Sequence, residues 1–561
     1  MDDKTIQLPW EGEYGPDGPW QAIKLGVGTI TDGYDRVIRV PTAMMWPDCR
    51  VTCKVLTPAL GGEYTATNSS FVIPTPDAMI TNADDTEPMG KVIHEDWSGS
   101  RVFDVLMLDN KMGHRFPVNA SLDVVEKWEY NLPNGGEFFS APVGTLGLGE
   151  PYSYAQGPPP GILQVLKAEN SISSILFGLH IGSVALGQPA SMVLGGYEQN
   201  RALGSVAVFK FKPGSTLPTF YLLDVLLGTQ LGTSPFANPD RDEGSVWQGI
   251  RDNPGDIAEE RTEELGLKPG TALVIPDATV PYIYLPPGTC EAAARRLPVT
   301  WDDRLGLYLW NIDDPAYQRI VLSPAYLSFV FADRTATNIT IKVPFRLLNL
   351  TLEPPLVRTP TPYFPCKPLN STTGAWVLGR AFLQAAFFGV HFEQNATFLA
   401  QAPGPALVQR VVRSLGPGDA TLQTNPIQQF EESWLSSWTV LSSSSTSAEP
   451  SAEPSSGGDG VLSTGPVVGI VVGAIAMLVA SIATLWFFWR RKAKQKQTRS
   501  LPSGAEINRE WAGSPREQPE MDGQGNVPEL GKPNDHELYT PPVVHELPID
   551  WNLPERQEHA R

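Results

Sequence analysis

The chain has 561 residues, which allows about three or four domains of ordinary size, or one large bilobed domain with appendages. Apolar residues make up 41% and charged residues 18%, while 51 glycines and 53 prolines favour strands and turns over long helices. The net charge of −19 repels phosphate backbones, which argues against nucleic acid as a partner and favours an extracellular or cell-wall setting.

Short runs of β-branched and aromatic residues, separated by Gly, Pro, Asn and Asp, fill the first three quarters of the chain. They predict a large, mainly antiparallel β domain over residues 20–431. The predicted strand regions are WQAIKLGVGT from residue 20, RVIRVPTAMMW from 36, GSVAVFKF from 204, ALVIPDATVPYIYLP from 272, NITIKVPF from 338 and WVLGRAFLQAAFFGVHF from 376. Helices are predicted at 256–265 and 288–297.

The last quarter of the chain has the pattern of a single-pass membrane protein. Residues 432–466 are rich in Ser, Pro and Gly, which predicts a disordered stalk. Residues 467–489 carry no charge and are long enough to cross about 30 Å of hydrocarbon as a helix. A basic cluster begins at Arg490, which places the tail, residues 490–561, in the cytoplasm. We therefore expect a type I protein with its N-terminal domain at the cell surface and a disordered tail.

Glycosylation signals agree with this topology. All six N-x-S/T sequons precede the predicted span, at Asn68, Asn119, Asn338, Asn349, Asn370 and Asn395. The first four residues lack the apolar core of a secretory signal, so we expect that a signal sequence is missing from this sequence.

Two further interactions are predicted in this region. Gly469 and Gly473 form a GxxxG pair that would permit weak dimerisation of the span. The repeated HELYTPP and HELPIDW phrases of the tail fit docking motifs for cytoplasmic partners, or chance similarity in a solvated segment.

Five phrases of the outer domain resemble, in order, those of pepsin-like aspartic proteases, specifically the divergent membrane-anchored fungal members. They are GPWQAIKLGVGT, FSAPVGTLGLG, SMVLGGYEQNR, ALVIPDATVPYIYLP and WVLGRAFLQAAFFGVHFEQNATFLAQA. The resemblance implies a bilobed β fold around a cleft. Its N-lobe would span about 20–210 and its C-lobe about 211–431, after an N-terminal segment of residues 1–19.

The resemblance also implies two disulfides. Cys49 and Cys53 would close a small loop in the N-lobe, and Cys290 would pair with Cys366 in the C-lobe. For the second pair, two unpaired buried cysteines are the alternative. The seven histidines are scattered and no paired CxxC spacing occurs, so we expect no metal site and no cofactor.

Peptide hydrolysis in this family needs two adjacent carboxylates that share one proton. Asp277-Ala278-Thr279 matches the family's D-[ST]-G, with Thr in place of Gly. In the N-lobe the family's tryptophan matches Trp46, which places Arg39 where the first Asp should be. The flap tyrosine also has no counterpart, and Trp97 is the nearest substitute.

These departures leave three interpretations of the outer domain. We favour an inactive protease-like domain that binds a peptide or a cell-wall ligand in its cleft. The alternatives are an active aspartic endopeptidase with an unrecognised second acid, and a structural surface protein. In the inactive domain Arg39 and Asp277 would form an ion pair across the cleft, or Arg39 would turn to solvent. For Asp277, the alternative to a functional role is a structural one, in which its carboxylate only shapes a turn.

Overall fold

The computed structural model describes residues 4–28, 36–40, 49–52, 73–74, 80–81, 95–132, 138–140, 143–149, 161–211, 220–248, 271–332, 338–370 and 375–442. All of them belong to one compact unit, residues 1–449. This unit is mainly β, as the sequence predicts.

The described strands, in chain order, are β1 (Ile6–Gln7), β2 (Trp10–Tyr14), β3 (Trp20–Val27), β4 (Arg36–Val40), β5 (Cys49–Thr52), β6 (Ile73–Pro74), β7 (Ile80–Thr81), β8 (Glu95–Asp109), β9 (Arg115–Asn131), β10 (Phe138–Ser140), β11 (Leu176–His180), β12 (Ser191–Leu194), β13 (Gly196–Glu198), β14 (Leu203–Lys210), β15 (Phe220–Thr229), β16 (Gly244–Ser245), β17 (Ala272–Pro276), β18 (Ile283–Leu285), β19 (Val299–Asp302), β20 (Leu307–Trp310), β21 (Ala325–Ala332), β22 (Asn338–Pro344), β23 (Leu350–Leu352), β24 (Thr361–Phe364), β25 (Cys366–Pro368), β26 (Ala375–Leu378), β27 (Ala386–His391), β28 (Ala396–Gln401) and β29 (Val412–Ser414). The described helices are short: α1 (Ile162–Ala168), α2 (Pro239–Asp242), α3 (Pro287–Ala294), α4 (Pro315–Leu322), α5 (Arg380–Leu383) and α6 (Phe430–Trp434).

Strands from distant parts of the chain share one six-stranded sheet, in the order β1-β12-β11-β27-β28-β14. At its centre β11 pairs antiparallel with β27, with Gly178 opposite Gly389. Every residue of these two strands is buried, and the rings of Phe177 and Phe388 meet edge to face at 5.9 Å. Both strands are buried on both faces. Because β11 comes from the earlier part of the chain and β27 from the later part, their pairing joins the two parts in one sheet.

The early part of the chain forms a sheet around a long hairpin. Strands β8 and β9 pair along their length, and β3 follows β8 in the order β10-β9-β8-β3-β2. Asn110 closes the hairpin, because its side-chain oxygen accepts hydrogen bonds from the backbone N–H groups of Met112 and His114. Gly113 supplies the positive φ of +81° that this turn requires.

The later part of the chain forms a sheet with the order β22-β21-β15-β17-β26-β18-β25. Strands β17 and β18 are consecutive in the chain, yet β26 lies between them, parallel to β17 and antiparallel to β18. The turn that joins β17 to β18 must therefore pass the end of β26. This turn contains Asp277.

Several predicted elements agree with the structure, and one predicted strand region contains three separate elements. The predicted strand at 20 becomes β3, that at 204 becomes β14 and that at 338 becomes β22, while the predicted helix at 288–297 becomes α3. The run from residue 376 is a strand, a short helix and a second strand. Apolar periodicity alone does not separate these, because all three elements are buried.

The folded unit extends beyond both predicted ends of the outer domain. Strand β1 pairs with β12, so the N-terminal segment belongs to the six-stranded sheet. After residue 431, helix α6 buries Trp434, whose ring stacks on Trp438 at 5.4 Å. The N–H of Thr439 donates to Leu322 O. The start of the predicted stalk is therefore packed on the β domain.

Among the described residues, no helix is both long and apolar enough to cross a bilayer. The predicted span at 467–489, with Gly469 and Gly473, lies outside the described part of the chain, as do the rest of the stalk and the tail. The predicted helix at 256–265 also lies outside it.

Cys290 and Cys366 form the disulfide that the family resemblance implies, with a Cα–Cα distance of 5.6 Å. It fastens α3 to β25 across 76 residues of chain. Cys49 lies in β5, while its expected partner Cys53 lies outside the described residues.

Replacing both Cys290 and Cys366 with alanine should lower the free energy of unfolding by about 4 kcal/mol, because the unfolded chain regains the freedom of a long loop. Urea unfolding of the full-length protein in detergent, followed by tryptophan fluorescence, measures the loss. Adding a reductant to the double variant should have little further effect, because the short loop predicted between Cys49 and Cys53 gains little from a disulfide. A loss below about 1 kcal/mol would contradict the chain-entropy argument.

A buried polar network lies at the six-stranded sheet. Arg201 donates to Glu198 Oε1 at 3.1 Å and contacts His180 Nδ1 at 3.2 Å, while Ser191 donates to Glu198 Oε2 at 2.5 Å. Since Arg201 can only donate, His180 carries its proton on Nε2, which donates to Gln384 O at 2.9 Å. The network thus holds His180 in its neutral form and links β11 to the residue that ends α5.

Burial and the adjacent Arg201 lower the pKa of His180 from 6.5 to about 3. Unfolding frees the imidazole to bind a proton below pH 6.5, so the folded state is favoured above that pH and loses stability as the pH falls towards 3. Between pH 7 and pH 4 the loss from this one group should be about 3 kcal/mol.

His180→Gln keeps an amide donor and acceptor but does not titrate, so it should flatten this pH dependence by about 3 kcal/mol. Urea unfolding of the full chain at pH 7, 5.5 and 4 measures it. His114→Gln, which removes an imidazole from an exposed position, is the matched control. An equal slope in His180→Gln and the unmodified protein would exclude His180 as the cause.

Candidate functional site

Asp277 lies in the turn after β17 and its side chain is only 4% exposed. Its backbone N–H donates to Leu378 O at 3.0 Å, which fixes the turn to the end of β26. Its Oδ1 accepts two hydrogen bonds from Thr279, one from the backbone N–H and one from the hydroxyl, both at 2.7 Å. The carboxylate is therefore held in one orientation.

Thr279 stands where the family motif has glycine, and the turn accommodates it without strain. Positive φ angles occur at Asn170 and Asn395 among the described non-glycine residues, and Thr279 is not one of them. Its hydroxyl adds a hydrogen bond to Asp277 that glycine would lack. The substitution thus strengthens the anchoring of the carboxylate.

Arg380 holds the same turn from the other side. Its guanidinium donates to Ala278 O at 3.1 Å and to Thr279 O at 2.8 Å. It also lies 3.7 Å from Asp17 Oδ1 and 5.0 Å from the centroid of the Trp20 ring. Arg380 is 8% exposed, so one buried cation joins the Asp277 turn to the N-terminal segment.

Gly379 allows the backbone before Arg380 to lie against the Asp277 turn. A Cβ at Gly379 would lie 2.3 Å from Tyr282 O and 2.5 Å from Val280 O, closer than real Cβ contacts. Instead the N–H of Gly379 donates to Tyr282 O at 2.9 Å, and that of Arg380 donates to Val280 O at 2.8 Å. The G of the family-like W-x-L-G phrase is therefore needed to bring Arg380 against the turn.

Buried tyrosines form the wall beside the turn. The rings of Tyr282 and Tyr363 meet edge to face at 5.9 Å, and Tyr363 donates its hydroxyl hydrogen to Asp17 O at 2.6 Å. Burial, with the nearby negative charge of Asp17, raises the pKa of Tyr282 well above its usual value. Tyr282 therefore stays protonated and neutral.

The position predicted for the first acid differs from that of Asp277. Arg39 lies inside β4, paired with Lys24 of β3, whereas Asp277 lies in a turn beyond the end of its strand. The side chain of Arg39 lies outside the described part of the structure, so its ion pair with Asp277 stays a prediction. The acidic residues nearest to Arg39 in the sequence, Asp35 and Asp48, also lie outside the described residues.

The predicted glycosylation sites differ in their surroundings. Asn119, Asn338 and Asn370 are exposed. Asn349 is half-buried and its side-chain oxygen accepts a hydrogen bond from the Tyr317 hydroxyl, while Asn395 adopts a left-handed conformation in a turn. Asn68 lies outside the described residues. In the described part of the chain, no group of three or more His, Cys, Asp or Glu side chains could hold a metal ion.

Sequence reasoning missed Asp17, Trp20 and Arg380 as parts of this site. The sequence places Asp17 in the segment before the predicted domain and predicts only a strand at Trp20. The usable signal was the arginine that directly follows the W-x-L-G phrase, since a charge inside such an apolar run requires a partner.

No protein-family model matches the chain, and a search of curated proteins finds no match. The pepsin-like family therefore remains an expectation that rests on the quoted phrases.

Arg380→Met should lower the free energy of unfolding by about 3 kcal/mol, because it leaves two buried carbonyl groups and Asp17 without their cation. Arg295→Met is the matched control, since its ion pair with Glu291 is 61% exposed on both sides and should contribute at most about 0.5 kcal/mol. Urea unfolding of both full-length variants compares them. Equal losses would show that Arg380 does not hold the turn.

Proposed function

We propose that this chain is a type I membrane glycoprotein whose outer domain has the bilobed pepsin-like fold without proteolytic activity, and that it binds extended peptides in the cleft between its lobes. Two features of the β unit support the fold. Strands from both parts of the chain form one shared sheet, and β26 lies between the strands that flank the Asp277 turn.

The proposed loss of catalysis rests on one observation: Asp277 and Arg39, which match the two catalytic aspartates of the family, lie in different local structures. Hydrolysis by a carboxylate pair requires like charges about 3 Å apart, so that one proton is shared. Asp277 lies in an anchored turn, whereas Arg39 lies within a paired strand. An arginine can neither accept the proton nor serve as the second acid, because its guanidinium stays charged.

The anchoring of the Asp277 turn supports a binding role. The turn is fixed by Thr279, by Leu378 and by Arg380, so the cleft wall that it forms would need little ordering when a ligand binds. A pre-organised wall lowers the entropic cost of association. A buried carboxylate held by hydrogen-bond donors would also suit the active endopeptidase, so the assay must separate the two functions.

Full-length protein in detergent, incubated with unfolded casein between pH 4 and pH 6, should show no cleavage that pepstatin inhibits. Asp277→Asn should behave like the unmodified chain, and so should Asp303→Asn, an exposed control. Circular dichroism at each pH is required, because the neutral His180 network weakens the fold in acid. Pepstatin-sensitive cleavage that Asp277→Asn abolishes would establish an active endopeptidase instead.

Peptide binding is measured separately, by fluorescence anisotropy at pH 7 with a library of unstructured peptides. Binding that Asp277→Asn weakens and Asp303→Asn does not would support the cleft as the binding site. No binding by any peptide pool would refute the peptide-binding proposal while leaving the inactive fold standing.

A further inference from the structure

Strands β13 and β29 form a separate two-stranded antiparallel sheet, the β13–β29 ribbon, in which β13 is buried and β29 is partly exposed. Gly196 permits the close approach of the two strands, since a Cβ at this position would lie 2.2 Å from Arg413 O. Directly after β13, the N–H of Gln199 donates to Val411 O at 2.7 Å. Strand β29 is therefore held firmly against β13, with Arg413 exposed at its centre.

Two arginines of this segment each contact the ribbon through one nitrogen. Arg410 Nε lies 3.0 Å from Glu198 Oε2, and Arg413 Nε donates to Gln199 Oε1 at 3.0 Å. In the part of the chain that the structure describes, the terminal nitrogens of both guanidinium groups have no acceptor. The side chain of Arg410 is 34% exposed and Arg413 is exposed, so a ligand can reach these donors from solvent.

Lys111 adds a third exposed cation from a different part of the chain. Its backbone N–H donates to Gln7 O at 3.0 Å, which fixes the turn between β8 and β9 against β1. Partial burial of its ammonium and the positive charge of the nearby Arg410 lower the pKa of Lys111. Among the described residues, the Lys111 ammonium has neither a hydrogen-bond acceptor nor a salt-bridge partner.

Glu198 is too well compensated to neutralise these three cations. It is 2% exposed, and it also accepts hydrogen bonds from Ser191 at 2.5 Å and from the buried Arg201 at 3.1 Å. The three exposed cations and Arg201 outnumber Glu198 and Asp419, two acids of the same region. Positive charge is therefore in excess among these groups, although the chain as a whole has a net charge of −19. A local excess of this kind attracts anionic partners to one part of the surface.

We propose that Lys111, Arg410 and Arg413 form a binding surface for a linear polysaccharide that carries carboxylate or sulfate groups. Guanidinium groups with free terminal nitrogens can bind such groups through two parallel hydrogen bonds, and the ammonium adds a point charge. Three residues of extended chain cover up to about 10 Å, so a polymer with repeated charges can contact both arginines at once.

The choice of a polysaccharide rests on the proposed extracellular position of this domain, and the charge of the chain supports it. A planar anionic membrane would also repel the negative charge on the rest of the domain. A single polymer chain can contact the ribbon alone and avoids most of that repulsion.

The test measures binding of the full-length protein in detergent at pH 7 to immobilised heparin and to immobilised polygalacturonate, with uncharged dextran as the neutral polymer. At least one anionic polymer should bind and dextran should not. Raising the salt concentration from 50 to 200 mM should weaken binding about tenfold, because bound counterions are released. Lys111→Gln should weaken binding about fivefold, and the double variant Arg410→Gln/Arg413→Gln about 25-fold. Binding to one polymer alone would identify sulfate or carboxylate as the group recognised.

The matched control is the double variant Arg241→Gln/Arg295→Gln, which removes two positive charges from side chains that are 80% and 61% exposed. It should bind as the unmodified chain does. Arg410→Gln also loses a contact with Glu198, so Lys111→Gln decides the question if the double variant fails to fold.

The absence of binding to both anionic polymers would overturn the proposal, and so would equal losses in the ribbon and control variants. Binding of phosphatidylserine vesicles through the three ribbon cations, without binding to either polysaccharide, would overturn it as well. The cleavage and peptide-binding assays depend on Asp277, so failure of the polysaccharide surface and failure of the proposed peptide-binding function give different results.

Discussion

The buried guanidinium of Arg380 determines how the parts of the Asp277 site fit together. A charge that is 8% exposed must be compensated, and its partners come from two segments: the turn supplies two carbonyl groups, and the N-terminal stretch supplies the Asp17 carboxylate and the Trp20 ring. Together these groups replace much of the water that would otherwise solvate the guanidinium. The backbone path of the turn, the insertion of β26 and the position of the N-terminal segment are therefore interdependent.

This interdependence explains why the glycine before Arg380 has no alternative. A side chain at Gly379 would collide with two carbonyl oxygens of the turn, and the turn could not retreat without releasing Arg380. Thr279, in contrast, stands where the motif that this phrase resembles has glycine, at a position where the backbone permits a side chain, and its hydroxyl donates a hydrogen bond to Asp277. A motif glycine is thus required where another backbone approaches closely and can be replaced where it only fills a turn.

The sequence predicted the β class and several strands, because alternating apolar runs and turn residues are local signals. The Cys290–Cys366 disulfide was implied only by the family resemblance. It could not place Asp17 beside Arg380, since the two are separated by most of the folded unit and the contact depends on the sheet order. The extension through Trp434 and Trp438 was missed for a different reason. Two tryptophans next to a Ser-rich run give a composition close to that of a linker, although their burial makes them part of the core.

The two buried arginines among the described residues, Arg201 and Arg380, have different partners. Arg380 is compensated by two backbone carbonyl groups and the Asp17 carboxylate, whereas Arg201 pairs with Glu198 and also contacts the neutral His180. At acidic pH the unfolded state gains a proton on His180, which lowers the free energy of unfolding by a few kcal/mol. The total stability of a folded domain is about 5–15 kcal/mol. This loss is therefore a substantial fraction of the total stability. The His180 network at the six-stranded sheet therefore makes the folded state less stable in acid than at neutral pH.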